Sequence, residues 1–332
     1  MINQIEKLIN VDFNNRGVNY LYQDMLDSQK TSILMQVIKS IDEINKKGAI
    51  ILTTGALARG WVSKEIGETD GPIGTVVLIK ALKKYKRSNI ILVTEPSLVN
   101  QTESFFKRLS FETIIMDVNN ITKTGIDVIK IVPFPTNLHE SVYVSDILIE
   151  KFKPEAIISI EKTGKNDKGI FHNMGGFDYS EGYSHVDELF RLADNNNILT
   201  LGIGDGGNEI GMSNVKDVVK KKIPYGAVCR CGCGSGIGSA VPTNLLVTAS
   251  VSNWACYAIV AAIAIYTKDY LYLHTTNDEK IMMRVAIEVG LIDGVSGNIE
   301  NTVDGLAYSA NAAMINLIEE ITVRHINNLV KE

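Results

Sequence analysis

The chain has 332 residues, 45% of them hydrophobic and 21% charged, with a formal net charge of −5. That length accommodates one large α/β domain, and the mild acidity, with no basic stripe to offset it, argues against a nucleic-acid or anionic-membrane partner. Residues 1–11 lack a basic region followed by an apolar core, and the longest apolar run, 254–266, is too short to span a bilayer, so a cytoplasmic chain acting on a small molecule is expected.

In chain order, residues 17–47 read as an N-terminal helical pair and 49–53 as the first strand. Asp70-Gly71-Pro72 opens a helix, with Pro72 near its first position. A strand at 90–94 is followed by a helix from Pro96, and further strands are expected at 113–117, 128–132 and 156–160. Residues 161–182, rich in Gly, Asn, Asp and Lys, form a long irregular stretch of the kind that serves as a functional loop. Strands at 198–203, 227–230 and 245–248 come next. The apolar helix from Trp254 is expected to be capped by Ser252 and Asn253, and the chain is mainly helical from Asn277. Most strands are continuous apolar runs, as in a sheet covered on both faces. The expected fold is a Rossmann-like three-layer α/β domain, a mostly parallel sheet between helix layers: an N-terminal helical segment over 1–47, a catalytic core over 48–310 and a C-terminal helix over 311–332.

The four cysteines are Cys229, Cys231, Cys233 and Cys256. Clustering three in one segment suits a reducing compartment better than a disulfide framework. On an extended strand, alternate cysteines share one face and do not close a tetrahedral site unaided, so they read as small apolar residues beside a glycine-rich turn rather than as metal ligands.

Polar clusters follow the expected strands: Thr54 to Gly60 with Arg59, Glu68 to Pro72, Glu161 leading to His172-Asn173-Met174, Gly202 to Met212, and Ser250 to Asn253. In a parallel sheet these all fall at one edge. Gly202-x-Gly204-x-x-Gly207 has dinucleotide-fingerprint spacing, but Asp205 and Glu209 would repel a pyrophosphate. No acidic residue lies between Asp217 and Asp269 to hold a ribose, which leaves an NADP-dependent oxidoreductase using Arg230 as an alternative. With a helix started by Asp205, the side chains of Asp205, Asn208 and Glu209 would share one face and suit Mg²⁺ or Mn²⁺, or else cap the helix. His172 offers a general acid/base near neutral pH. Arg59 offers a carboxylate clamp or a surface cation, and Asp304 a substrate ligand or a turn former.

Glu68-Thr69-Asp70-Gly71-Pro72-x-Gly74, Gly204 to Met212, Val251-Ser252-Asn253-Trp254 and Thr302-Val303-Asp304-Gly305 occur in this order. Together with Glu161…His172-Asn173-Met174 they resemble the D-glutamate cyclase family, from about residue 53 to about residue 305. The Cys- and Gly-rich segment 229–238 departs from that pattern. The resemblance implies a hydro-lyase that converts D-glutamate to 5-oxo-D-proline with a divalent cation, Mn²⁺ or Mg²⁺. It implies a cation held by Asp205 and Glu209 with Asn208, and a carboxylate or oxyanion cradled by the N–H groups of Gly206 and Gly207. Arg59 and Thr54 would grip the α-carboxylate, and Glu161 or His172 would carry the proton. Asp70, Asn173, Asn253 and Asp304 would orient the substrate. A non-catalytic amino-acid-binding protein remains a further alternative, and the number of subunits is not legible.

Overall fold

The computed structural model describes residues 2–29, 31–121 and 124–331. Met1, Lys30 and Glu332, which belong to the expected helical segments, lie outside the described residues. Three helices lead in: α1 (Ile2–Ile9), α2 (Val18–Gln29) and α3 (Ile33–Glu43). The core then alternates β1 (Ala49–Thr54), α4 (Pro72–Lys86), β2 (Asn89–Thr94), α5 (Val99–Arg108), β3 (Thr113–Ile115), β4 (Ile129–Pro133), α6 (Leu138–Phe152), β5 (Ala156–Ile160), α7 (Asp187–Asn195), β6 (Leu199–Gly204), α8 (Lys216–Lys222), β7 (Leu245–Thr248) and α9 (Ser252–Thr267). It ends with α10 (Thr276–Glu288), the hairpin β8 (Thr302–Val303) and β9 (Leu306–Ala307), and α11 (Tyr308–Lys331). The three-layer α/β expectation is met: β1 to β7 form one parallel sheet in the order β3-β4-β2-β1-β5-β6-β7.

The apolar runs become central strands because both faces are covered. Ile50 and Leu52 of β1 and Ile90 and Leu92 of β2 join one core with α4, α5 and α9. Ala49, Ile51, Ile91 and Val93 point the other way, to Val144 and Leu148 of α6 and Leu189 and Phe190 of α7. On the first face the layer is two helices deep. α9 packs against α4, α3, α1 and α11 and is buried from Ser252 to Ile265. No helix among the described residues is long and apolar enough to cross a membrane.

Two expectations fail locally. Residues 227–230 are not a strand: Gly232 and Gly234 adopt φ of +80° and +77°, which curl the segment. Nor is α9 capped by its own Ser252 or Asn253. The Asp70 carboxylate, 182 residues away in sequence, accepts the N–H of Ser252 (2.9 Å), and its other oxygen accepts the N–H of Asn253 (2.9 Å).

The strand order turns around at β1. The chain steps from β1 to β2 on one side, then crosses from β4 to β5 on the other. Crossover helices leave such a point in opposite directions, which opens a crevice at the carboxyl ends of the two strands. Glu161 follows β5 there, and Asp205 follows the neighbouring β6.

Candidate active site

The loop after β6 folds back on itself instead of opening a helix. The carboxylate of Glu209 accepts the N–H groups of Asp205 (3.0 Å), Gly206 (2.7 Å) and Gly207 (2.7 Å). This return requires glycine at 204, where a Cβ would stand 2.9 Å from the Glu209 side chain. Regular helix resumes only at Lys216, after a 3₁₀ turn over Met212–Val215. Asp205, Asn208 and Glu209 therefore do not share a helix face; the turn brings them together. Two expectations are corrected. The N–H groups of Gly206 and Gly207 are satisfied inside the protein, so they are not a free cradle for a carboxylate or oxyanion. The Glu209 carboxylate also takes the position a pyrophosphate needs, which removes the basis of the dinucleotide reading. Arg230, offered for a 2′-phosphate, stacks on Tyr225 (4.4 Å) and Phe177 (5.2 Å).

A cavity of about 480 Å³ lies at the sheet edge, and Arg16, Glu68, Glu161, Asp205, Asn208 and Asp304 are among its lining residues. Asp205 is its centre of charge. It brings an oxygen within 4.8 Å of oxygens from Glu161 and Glu209, and likewise of oxygens from Asp70 and Asp304. Arg16 Nη1 donates to Asp205 Oδ2 (2.6 Å) and Asp304 Oδ2 (2.7 Å). Asp12 shapes the turn that delivers Arg16, accepting the N–H groups of Arg16 (2.9 Å) and Gly17 (2.8 Å). Ser252 Oγ donates to Glu161 Oε2 (2.5 Å).

So many carboxyls around one arginine hold protons tightly. Burial, reinforced by the charge of Glu209, pushes Glu161 well above the usual carboxylate range. Burial and the charge of Glu161 do the same to Asp205, with Arg16 opposing them. Glu68 is raised by burial and by Asp304. The pocket thus favours positive charge, whether an ammonium group or a hard metal ion. Oδ1 of Asp205 and Oδ1 of Asn208 are buried without a hydrogen-bond partner, and oxygen donors of this kind suit Mg²⁺ or Mn²⁺.

Other expected residues divide. Arg59 and Asn173 line the cavity. Arg59 donates to the Val295 carbonyl (2.7 Å), and Asn173 Oδ1 accepts the Phe177 N–H (3.1 Å). Thr54, His172 and Asn253 are not among the lining residues. The hydroxyl of Thr54 is buried without a hydrogen-bond partner at the end of β1. Asn253 Oδ1 accepts the N–H groups of Gly71 (2.9 Å) and Gly74 (2.6 Å), and its amide donates to the Thr69 carbonyl (3.1 Å). It clamps the start of α4 to the start of α9 and does not reach the cavity to orient a substrate. His172 is fully buried with Nε2 3.1 Å from Cys231 Sγ, so the proton-carrying alternative rests with Glu161. Arg16 and the pocket roles of Ser252 and Glu68 were not expected from the sequence. Glu68 stood in a quoted motif, but nothing in the spacing around Arg16 signals its destination.

Burial pushes Asp70 up to about 8, with Asp304 adding to the effect, and lifts Asp187 to about 6. Both bind a proton more tightly in the folded chain than in the unfolded one, where Asp titrates near pH ~3.9. Their stabilising effect is complete below that value and is lost as pH rises through about 6 and then about 8. The metal-free protein should therefore show a falling urea midpoint between about pH 5 and about pH 8.5. A flat or rising midpoint would mean that these carboxyls ionise as easily folded as unfolded.

Fold and pocket together define a three-layer α/β protein with an acid-lined cavity at its topological switch point. Residues 5–319 match the family described as D-glutamate cyclase-like, C-terminal, and the chain belongs to that family. A human relative, "D-glutamate cyclase, mitochondrial", is 24% identical over 356 residues, an alignment that covers 98% of this chain and 52% of the relative. The chain thus spans about half the length of that curated relative.

Proposed function

We propose that the chain is a lyase that closes D-glutamate to 5-oxo-D-proline with release of water, assisted by Mn²⁺ or Mg²⁺. The observation that carries this reading is Asp205, set among carboxylates on two sides in a chain of this family. Asp205 and Glu209, with Asn208 Oδ1, would hold the cation, which when bound supplies Lewis acidity that offsets the charge of the γ-carboxylate and eases departure of its oxygen.

The remaining work falls to the chain's own groups. The α-ammonium must give up a proton before its nitrogen can attack. Glu161 in its ionised form, with raised proton affinity and its Oε2 held by Ser252, takes that proton. The nitrogen then bonds to the γ-carbon and one γ C–O bond breaks. Two protons pass in turn from nitrogen to the departing oxygen by way of Glu161, so that it leaves as water and charge balances. Asp304 and Glu68 favour the ammonium end. Arg59 meets the α-carboxylate with the N–H groups that Val295 does not occupy. Holding the chain ends in a near-attack arrangement accounts for much of the acceleration.

The test incubates the full chain with D-glutamate, L-glutamate or 5-oxo-D-proline, with Mn²⁺, Mg²⁺ or a chelator, and resolves products by chiral chromatography. Conversion of D-glutamate only when a cation is present supports the proposal. Absence of product from all three compounds overturns it, and thermal stabilisation by D-glutamate without turnover would assign a binding protein instead.

A further inference from the structure

We propose that His172, Cys229, Cys231 and Cys233 form a closed tetrahedral site for one zinc ion, separate from the acidic pocket, which staples that pocket's wall. One ligand atom from each of the four lies within 4.8 Å of the others. Cys229 Sγ is 3.1 Å from Cys231 Sγ and 3.4 Å from Cys233 Sγ, and His172 Nε2 is 3.1 Å and 4.0 Å from the sulfurs of Cys231 and Cys233. Tetrahedral zinc with Zn–S near ~2.3 Å sets sulfurs about 3.8 Å apart, so modest outward shifts of the thiols complete the polyhedron.

On an extended strand the alternate cysteines would share one face and leave such a site open. Gly232, between Cys231 and Cys233, and Gly234, just after Cys233, both take positive φ and curl the backbone, so all three thiols face one centre. The fourth ligand comes from the irregular segment after β5. The Arg230 N–H donates to the Gly176 carbonyl (2.7 Å) and joins the segments, while the Cys229 N–H donates to the Ser235 carbonyl (2.8 Å) and closes the cysteine loop on itself. Asn166 Nδ2 reaches the Gly236 carbonyl (2.8 Å) and Cys233 Sγ (3.4 Å).

Donor chemistry keeps the two sites apart. Three thiols and an imidazole select zinc over Mg²⁺ or Mn²⁺, whereas the oxygen donors around Asp205 make the opposite selection. The consequence for the pocket is mechanical. Asn208 donates to the His172 carbonyl (2.9 Å), and Asn173 and Met174, the next residues, line the acidic cavity. Neither 161–182 nor 223–244 contains a helix or named strand, so a metal cross-link here replaces the hydrogen-bond ladder that would otherwise order the wall.

The test is elemental analysis of the full chain produced in zinc-supplemented medium, followed by cobalt substitution. The wild-type chain should retain about one equivalent of zinc through gel filtration, and titration of its thiols with a mercurial should release it. The cobalt form should show thiolate charge-transfer and tetrahedral d–d bands. Cys231→Ser should lose most of the zinc and those bands, and Cys256→Ala, which alters the cysteine buried in α9, should keep both. Should Cys231→Ser fail to fold, mercurial release and the cobalt spectrum of the wild type still decide. Zinc well below one equivalent, a cobalt spectrum without thiolate bands, or a Cys229–Cys231 disulfide in the reduced preparation would overturn the proposal.

Discussion

Asp205→Asn should lower D-glutamate turnover by on the order of 10³-fold while leaving the fold intact. The substitution keeps the shape and removes one negative charge at the point where the two carboxylate groupings meet. An amide oxygen binds a hard divalent cation more weakly than a carboxylate does, so both cation affinity and the Lewis-acid contribution should fall together. Stability should change little or rise without metal. The ion pair with Arg16 weakens, but Asp304 still accepts from that arginine, and repulsion with Glu161 disappears. Steady-state kinetics across a Mn²⁺ titration, with circular dichroism on the same preparations, separates these effects. Near-full kcat at saturating metal would remove Asp205 from the centre of the reaction.

The largest loss of stability is expected from Lys162→Met. Lys162 follows Glu161 at the end of β5, and its ammonium pairs with Glu95, which follows β2; neither side chain is exposed. Further contacts to Glu95 are long: the Ser184 N–H lies at 3.4 Å, and so does the Thr94 hydroxyl. Removing the lysine leaves a carboxylate without its counter-charge in a dry interior, which costs about 3–5 kcal/mol. Urea unfolding should show that loss as a lower midpoint with an unchanged slope. Adding Glu95→Gln should recover much of it, because the stranded charge is then gone. A single variant within about 1 kcal/mol of wild type would mean that water reaches the pair or that Glu95 accepts a proton at little cost.

The strands were legible where the chain had few alternatives. Runs such as 49–53 and 156–160 are apolar on both alternating sets of side chains, and only a strand covered on both faces buries all of them. The segment 227–230 misled because its short run of small residues resembles a strand, whereas the glycines that follow set the backbone path. The positions of the clusters at strand ends were legible for the same reason as the strands: parallel order places every carboxyl end at one edge. The destinations of the side chains were not. Asn253 sits in a polar cluster at a strand end, yet its side-chain oxygen is taken by the N–H groups of Gly71 and Gly74 at the start of α4. Glu209 reads as a metal ligand from spacing, and it also satisfies the N–H groups of its own turn.

By itself the sequence determined the layer architecture and the patches that carry polar chemistry, because hydrophobic periodicity and glycine placement act over a few residues; the family resemblance rested on the ordered motifs. Only the tertiary structure decided which polar atoms remain available. It brought Arg16 to Asp205 and Asp304, set Asp70 on the start of α9, and turned His172 toward three thiols. Those outcomes depend on partners from distant parts of the chain, and a buried polar group goes wherever its hydrogen bonds can be met, a condition that spacing along the chain does not encode.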